Sequence, residues 1–375
     1  MLGRMDADTS AHTLNEDWSV LQQFLPPGWE DEARRTGALK RARGVDSAEA
    51  LLRVLLIHLA AGCSLAETAV RARAAGLAQL SAVALFKRLQ AAQDWLRWLA
   101  EQERRLLVES VPATSRRLRA VDATVVSEPG STGTDWRIHY SINLTDLQCD
   151  FFELTDKHGG ETWRRIPIAS GDVVLGDRLY ANPAGVSHVV GSGGDVLVRL
   201  NWYTLPLYTE SGEKLEVLKA LRGLKAGIIR DLPVWVRPYQ GVPIAGRLIA
   251  IRRSAEATRV VRKKQDRRAS KQQKKVSRKS REAAKYFMVW TSLPATTPAN
   301  EVLEFYRCRW QIELSFKRMK SILGLGHLPK KDPASARAWL HGKLLTSLLV
   351  ERIIQAANAF SPWGYRVESA ALPLA

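Results

Sequence analysis

The densest run of chemically capable side chains lies in Tyr306–Lys320, YRCRWQIELSFKRMK. It has no Gly or Pro and consists mostly of strong or neutral helix formers, which predicts one continuous helix. Advancing about 100° per residue from Tyr306 places Arg309 at about 300°, Glu313 at about 340° and Lys320 at about 320°. A phenol, a guanidinium, a carboxylate and an ammonium therefore share one stripe. Phe305, Ile312, Phe316 and Met319 form the adjoining apolar stripe, at roughly 220–280°. Such a face can bury one side and offer a metal-binding carboxylate beside phosphate-binding cations. An amphipathic surface helix with incidental i,i+4 pairs has the same outline, so this helix does not decide the matter alone.

Two aspartates add to it. Asp122 interrupts the apolar run RAVDATVV, Arg119–Val126. Asp is depleted from strands, and a buried ionised carboxylate needs compensation, which a metal ion supplies. Capping of a strand-end turn is the competing role. Asp177 follows the short strand VVLG and precedes a helix, where an N-cap and a ligand at a strand's carboxyl end are both reasonable. Glu128, Asp135 and Asp172, near strand ends or turns, read as solvated. Glu153 and His139 read as strand residues facing neighbours.

The spacing Tyr, two residues, Arg, three residues, Glu, six residues, Lys resembles the C-terminal signature of the IS4-type DDE transposases. Tyr306, Arg309, Glu313 and Lys320 fill it here. The local contexts VDAT at Asp122 and GDRLY at Asp177 agree with the family in order, and the resemblance spans about residues 115–350. It implies a ribonuclease-H-like catalytic fold, with Asp122, Asp177 and Glu313 as catalytic and metal-binding residues. It also implies that Tyr306, Arg309 and Lys320 bind DNA phosphates, and that the element is freed through a DNA hairpin.

The elements that would position these residues follow from periodicity. Within residues 1–112, Asp17 to about Val111 shows helical periodicity only, with capping patterns at Asp46/Glu49 and Ser64/Glu67. Helix, Gly76-containing connection, helix is the outline of a helix-turn-helix, so an all-helical DNA-binding domain is expected. Trp95, Trp98 and Leu99 read as its core. Residues 113–200 alternate as three strands, a short helix, a strand, a helix and a strand, the order of a ribonuclease-H-like mixed sheet. Residues 201–285 contain strand-like runs at Asn201–Tyr208, Leu232–Pro238 and Ile244–Arg252, suggesting a β-rich insertion. Residues 286–375 bring a strand, the Glu-bearing helix and a Leu-rich helix, Ala334–Phe360, expected beneath the sheet. The fold class is thus α/β.

The net charge of +18 and a pI near 10.1 call for a polyanionic partner. Most of the excess sits in 259–285, where 13 Lys/Arg face 2 acids. With no apolar stripe this run favours phosphate backbones over a membrane surface. Cys63, Cys149 and Cys308 are too scattered for a disulfide framework or a zinc site. The opening segment is polar and acidic, unlike a signal peptide, and the apolar run Leu51–Ala61 carries Arg53 and His58. A cytoplasmic, DNA-associated protein is expected.

Three carboxylates without a Cys/His cluster select hard cations. Two Mg²⁺ ions about 3.5–4 Å apart, with Mn²⁺ as a substitute, would activate water and stabilise a departing 3′ oxygen. The expected activity is phosphodiester hydrolysis at element ends followed by strand transfer into target DNA. The partners are double-stranded DNA and, on it, a second copy of the chain. The alternative is a transposase-derived DNA-binding regulator that has lost its chemistry.

Overall fold

The computed structural model describes residues 18–109, 116–238 and 240–359. The polar opening segment and the Val111–Pro112 boundary lie outside them. Among the described residues, the helices α1 (Trp29–Arg35), α2 (Ala48–Leu59), α3 (Leu65–Ala74), α4 (Ala82–Ala91) and α5 (Gln93–Glu109) precede the strands. Ser64 and Ser81 cap α3 and α4 by accepting the backbone N–H of Glu67 and Ala84. The cap of α2 is Ser47, not Asp46: its hydroxyl accepts the N–H of Ala50. A serine at the residue adjoining the helix satisfies an orphan donor that Asp46, one position back, does not reach. Trp95 and Leu99 are fully buried, and the Trp95 indole donates to the carbonyl of Trp29.

The strands follow. β1 (Leu118–Val126), β2 (Trp136–Asn143) and β3 (Cys149–Asp156) form an antiparallel meander. Only a 3₁₀ turn, Trp163–Arg165, forms where the short helix was expected. Next come β4 (Val173–Gly176), α6 (Pro183–Gly191) and β5 (Asp195–Arg199), with β4 parallel to both β1 and β5. Asn201–Tyr208 yields only β6 (Leu207–Tyr208), then α7 (Val217–Ala220), β7 (Ile229–Val236) and β8 (Ile244–Arg252). The basic run becomes α8 (Ala255–Lys271) and α9 (Arg278–Ala283). β9 (Tyr286–Thr291), α10 (Ala299–Cys308), α11 (Trp310–Ser321) and α12 (Pro333–Ala359) close the order.

All nine strands join one sheet, in the order β3-β2-β1-β4-β5-β9-β8-β7-β6. β9 pairs with β5 on one side and β8 on the other, so the strands between Asp177 and Glu313 extend the first sheet. Period-2 alternation divides the core. Ala120, Leu175 and Leu197 face a core shared with the helical domain and α10–α12; Val121, Val174 and Val196 face Trp163 and α6. α12 packs along α5, with further contacts to α4, α2 and β3, and shares a core with β1–β3, where its Glu351 accepts from Tyr140 and the Cys149 N–H, so it ties the helical domain to the face of the sheet.

Asp172, expected in solvent, is 1% exposed. It accepts two hydrogen bonds from Arg117 and one, at 2.9 Å, from Arg119, which also binds Asp150 in the interior. Ionised groups are buried this way only when paired and hydrogen-bonded. The pairing locks β1 against β3 and the start of β4. Cys63 and Cys149 are buried free thiols. Among the described residues no helix is long and apolar enough to cross a membrane.

Candidate active site

Register explains how the two aspartates meet. Ala120 stands opposite Leu175 in the parallel pair β1–β4. Two residues further along lie Asp122, in the middle of β1, and Asp177, just past the carboxyl end of β4, where ligands gather in such sheets. Alternation puts Asp122 on the same face as Ala120, the face on which α11 contacts β1. Burial, reinforced by the charge of Asp177, pushes the Asp122 carboxyl up to about 7, against the Ala123 N–H it accepts at 2.8 Å and the Arg309 charge. Asp177 accepts the N–H of Leu179 at 2.7 Å.

The expected single helix is two. Arg309 ends α10 and begins α11 with helical dihedrals, φ −54° and ψ −28°. Its N–H reaches the carbonyl of Tyr306, and its own carbonyl accepts from Ile312, both i,i+3 bonds. This is a tightened turn of the 3₁₀ kind. It leaves Tyr306 on one helix and Glu313 in the first turn of the next. Ile312, Phe316 and Met319 are buried as their periodicity predicts, and Phe305 is partly so.

Arg309 sits between the acids. One guanidinium nitrogen, Nη1, lies 3.5 Å from Oδ2 of Asp122; the other, Nη2, donates to Oε1 of Glu313. Glu313 is therefore tied to Asp122 through a cation. Among the described residues no three acidic, His or Cys side chains are close enough to grip one metal ion. The donor set nonetheless suits a hard divalent ion: carboxylate oxygens only, with the innermost held well above its ordinary pKa by burial and a like charge. Asp122, Asp177 and Glu313 are the residues that could hold it.

Tyr306 is buried, its ring 5.5 Å from that of Phe287, and Arg309 lies over it at 5.9 Å. Lys320 is exposed near the far end of α11 and is not among the cleft residues. The cleft, of about 760 Å³, runs from Asp177, Arg309 and Glu313 to the α8 side chains Lys264 and Arg268.

Comparison with known proteins gives this geometry its family. The family described as "Transposase DDE domain" matches residues 155–349, a segment holding Asp177 and Glu313, with Asp122 upstream of it. The chain is 33% identical over 357 residues to "Putative transposase InsL for insertion sequence element IS186A" of Escherichia coli K12, covering 93% of this chain and 96% of that protein. It is equally similar, 33% over 358 residues, to "Transposase for insertion sequence element IS421" of Escherichia coli, with the same coverage. The chain belongs to the DDE transposases, of the IS4 type.

The fold of this transposase is also that of a solved relative by shape. A piggyBac transposase in a synaptic complex with hairpin DNA superposes with a TM-score of 0.51 at 11% identity, covering 93% of this chain and 76% of that one. The sheet is thus of the ribonuclease-H-like kind. DDE transposases use divalent metal ions to cleave DNA and transfer strands.

Four residues of the site's surroundings escaped the reading of the sequence. Glu161 is felt by Asp122 and itself feels Asp177; burial raises its pKa, and Arg137, 3.4 Å away, opposes that rise. Its only sequence signal was its place in the loop between two acid-bearing strands. Arg178, Arg199 and Arg253 line the cleft from three separate elements, which no local pattern brings together.

The raised pKa of Asp122 carries a stability cost. The folded state favours the protonated form, so stability contributed by this group is complete below about pH 3.8 and is lost as pH rises through about 7. In the absence of divalent metal, Asp122→Asn is therefore expected to stabilise the transposase at pH 8 by at least about 1.4 kcal/mol, the worth of one pKa unit. The gain should shrink towards pH 5. Urea denaturation at the two pH values measures it, and an equal gain at both would mean that the charge is not responsible.

Proposed function

We propose that this IS4-type transposase excises its element and inserts it elsewhere at a single site built from Asp122, Asp177 and Glu313, holding two Mg²⁺ ions or Mn²⁺ in their place. The observation that carries the reading is Arg309, whose guanidinium spans Asp122 and Glu313. A cation already occupies the ground between those carboxylates. When bound, the metal ions activate the attacking oxygen and stabilise the departing 3′ oxygen.

The residues of the chain do the rest. Burial of Asp122 and the Asp177 charge concentrate negative potential at the strand ends. Arg309, Tyr306 and, from further along α11, Lys320 neutralise and hydrogen-bond backbone phosphates. Hydrolysis breaks one phosphodiester and leaves a 3′-hydroxyl. That hydroxyl then attacks a target phosphodiester, making one P–O bond as another breaks, so no external energy source is needed. The substrate is double-stranded DNA at the element's ends and the target. The helical domain binds the element's ends, and the basic hairpin α8–α9 supplies sequence-independent affinity. A homodimer assembles on the paired ends in the cytoplasm.

The test supplies Mg²⁺, a duplex bearing the element's terminal sequence, and a target plasmid. The transposase is expected to nick the duplex and join it to the plasmid, whereas Glu313→Gln binds the duplex and does neither. Joining by Glu313→Gln at the wild-type rate would remove Glu313 from the site.

A further inference from the structure

Beside the acids, the cleft holds an electrostatic anomaly. Arg199, at the end of β5, and Arg253, between β8 and α8, both lie over the ring of Phe287, at 5.6 and 5.5 Å. Arg178, immediately after Asp177, is coupled to both. None of the three forms an ion pair with a carboxylate among the described residues, although ion pairs are common elsewhere in the chain.

Arg253 is held in place. Its Nη1 donates to the carbonyls of Ala284 and Tyr286, and its backbone N–H to that of Lys285. Burial, then the charges of Arg199 and Arg178, push its pKa down to about 10. The whole cleft is lined by six Lys and Arg against two acids, Asp177 and Glu313. Guanidinium groups remain charged in proteins, so mutual repulsion here is relieved only by an anion. The forked donors of arginine match phosphate oxygens, and the Phe287 ring offers both guanidinium groups an aromatic surface.

We propose that Arg178, Arg199 and Arg253 form a phosphate pocket in the cleft, around Phe287, which grips one backbone phosphate of the DNA strand crossing it. The pocket joins the acid-bearing strand ends to the root of α8, since Arg253 directly precedes the Ser254 cap of that helix. The strand is thereby held at two points, Arg309 and this pocket. The inference rests on the cleft being the DNA channel of the transposase.

Inorganic phosphate is the probe that does not depend on activity. At matched ionic strength, millimolar phosphate in place of chloride is expected to raise the melting temperature of the wild type. The double variant Arg178→Gln/Arg199→Gln, which removes no side-chain hydrogen bond among the described residues, should lose that rise. Arg34→Gln/Arg97→Gln, which removes the same charge from α1 and α5, should keep it. Scanning the end duplex with single methylphosphonates then locates the phosphate. One position should weaken wild-type binding by roughly tenfold or more, and have no further effect in the double variant.

No phosphate response in the wild type, an unaltered response in the double variant, or an equal loss in the control overturns the pocket. So does a methylphosphonate penalty that is the same in wild type and variant at every position. Failure of the wild type to cleave end DNA with Mg²⁺, with the phosphate response intact, would instead count against the catalytic reading.

Discussion

Asp122→Asn or Asp177→Asn in the purified transposase is expected to leave affinity for end DNA within a few-fold of wild type and to abolish strand cleavage. The loss should exceed about a hundredfold, since even the outer partners of metal ligands are worth about 10–100-fold. Asparagine keeps the size and one acceptor oxygen, so β1 and the Ala123 bond survive, but it removes the charge that draws a divalent ion. For Asp122 this loss coincides with a stability gain at pH 8, because the ionised carboxylate is the group that burial disfavours. Activity down and stability up in one variant is the signature of a functional acid kept at a cost. A structural aspartate would lose both together. Gel-shift and nicking assays on the same preparation, with thermal melting alongside, separate the two, and retained cleavage in either variant would sink the assignment of that residue.

Much of this site was legible in the sequence because its parts announce themselves locally. Asp122 is an acid within an apolar strand, Asp177 ends a short β-branched run, and the helix carrying Glu313 shows its stripe in period 3.6. The ribonuclease-H-like order was visible for the same reason: strand and helix periods differ over a few residues. What stayed hidden depends on distance along the chain. Asp172 looked solvated because its partners Arg117 and Arg119 lie some 50 positions away. Arg178, Arg199 and Arg253 become neighbours only when β4, β5 and β8 take their places in the sheet. The break at Arg309 has no Gly or Pro to mark it. It is a tightened turn between two helices, each with a buried face of its own. Likewise, β6–β8 looked like an insertion set apart from the catalytic sheet, and only the pairing of β9 with both β5 and β8 makes one surface of them.

The break at Arg309 leads to the second large effect. In Arg309→Ala, Mn²⁺ binding to the DNA-free transposase at pH 8 should tighten by about tenfold or more, while cleavage of end DNA with saturating Mg²⁺ falls by about a thousandfold. The first half follows from competition. The guanidinium holds Asp122 and Glu313 by its two terminal nitrogens, and a metal ion must displace it to reach both carboxylates. Breaking the charge-assisted bond to Glu313 costs about 1.5–3 kcal/mol, which is tenfold or more in affinity. The second half follows from where the guanidinium goes. Nη1 is buried and makes no hydrogen bond, only the 3.5 Å contact with Asp122, so it is an aimed donor without an acceptor. A phosphate oxygen arriving with the DNA supplies that acceptor, and arginines placed on a reacting phosphate are worth about 10³–10⁵-fold in related phosphoryl chemistry. DNA and metal would then load cooperatively, because the phosphate draws Arg309 away from the carboxylates that the metal needs. Electron paramagnetic resonance titration with Mn²⁺ reads the first quantity and single-turnover cleavage the second. Arg309→Lys, which retains charge but not the fork, should recover neither fully. Unchanged metal affinity in Arg309→Ala would show that the guanidinium does not stand in the metal's place.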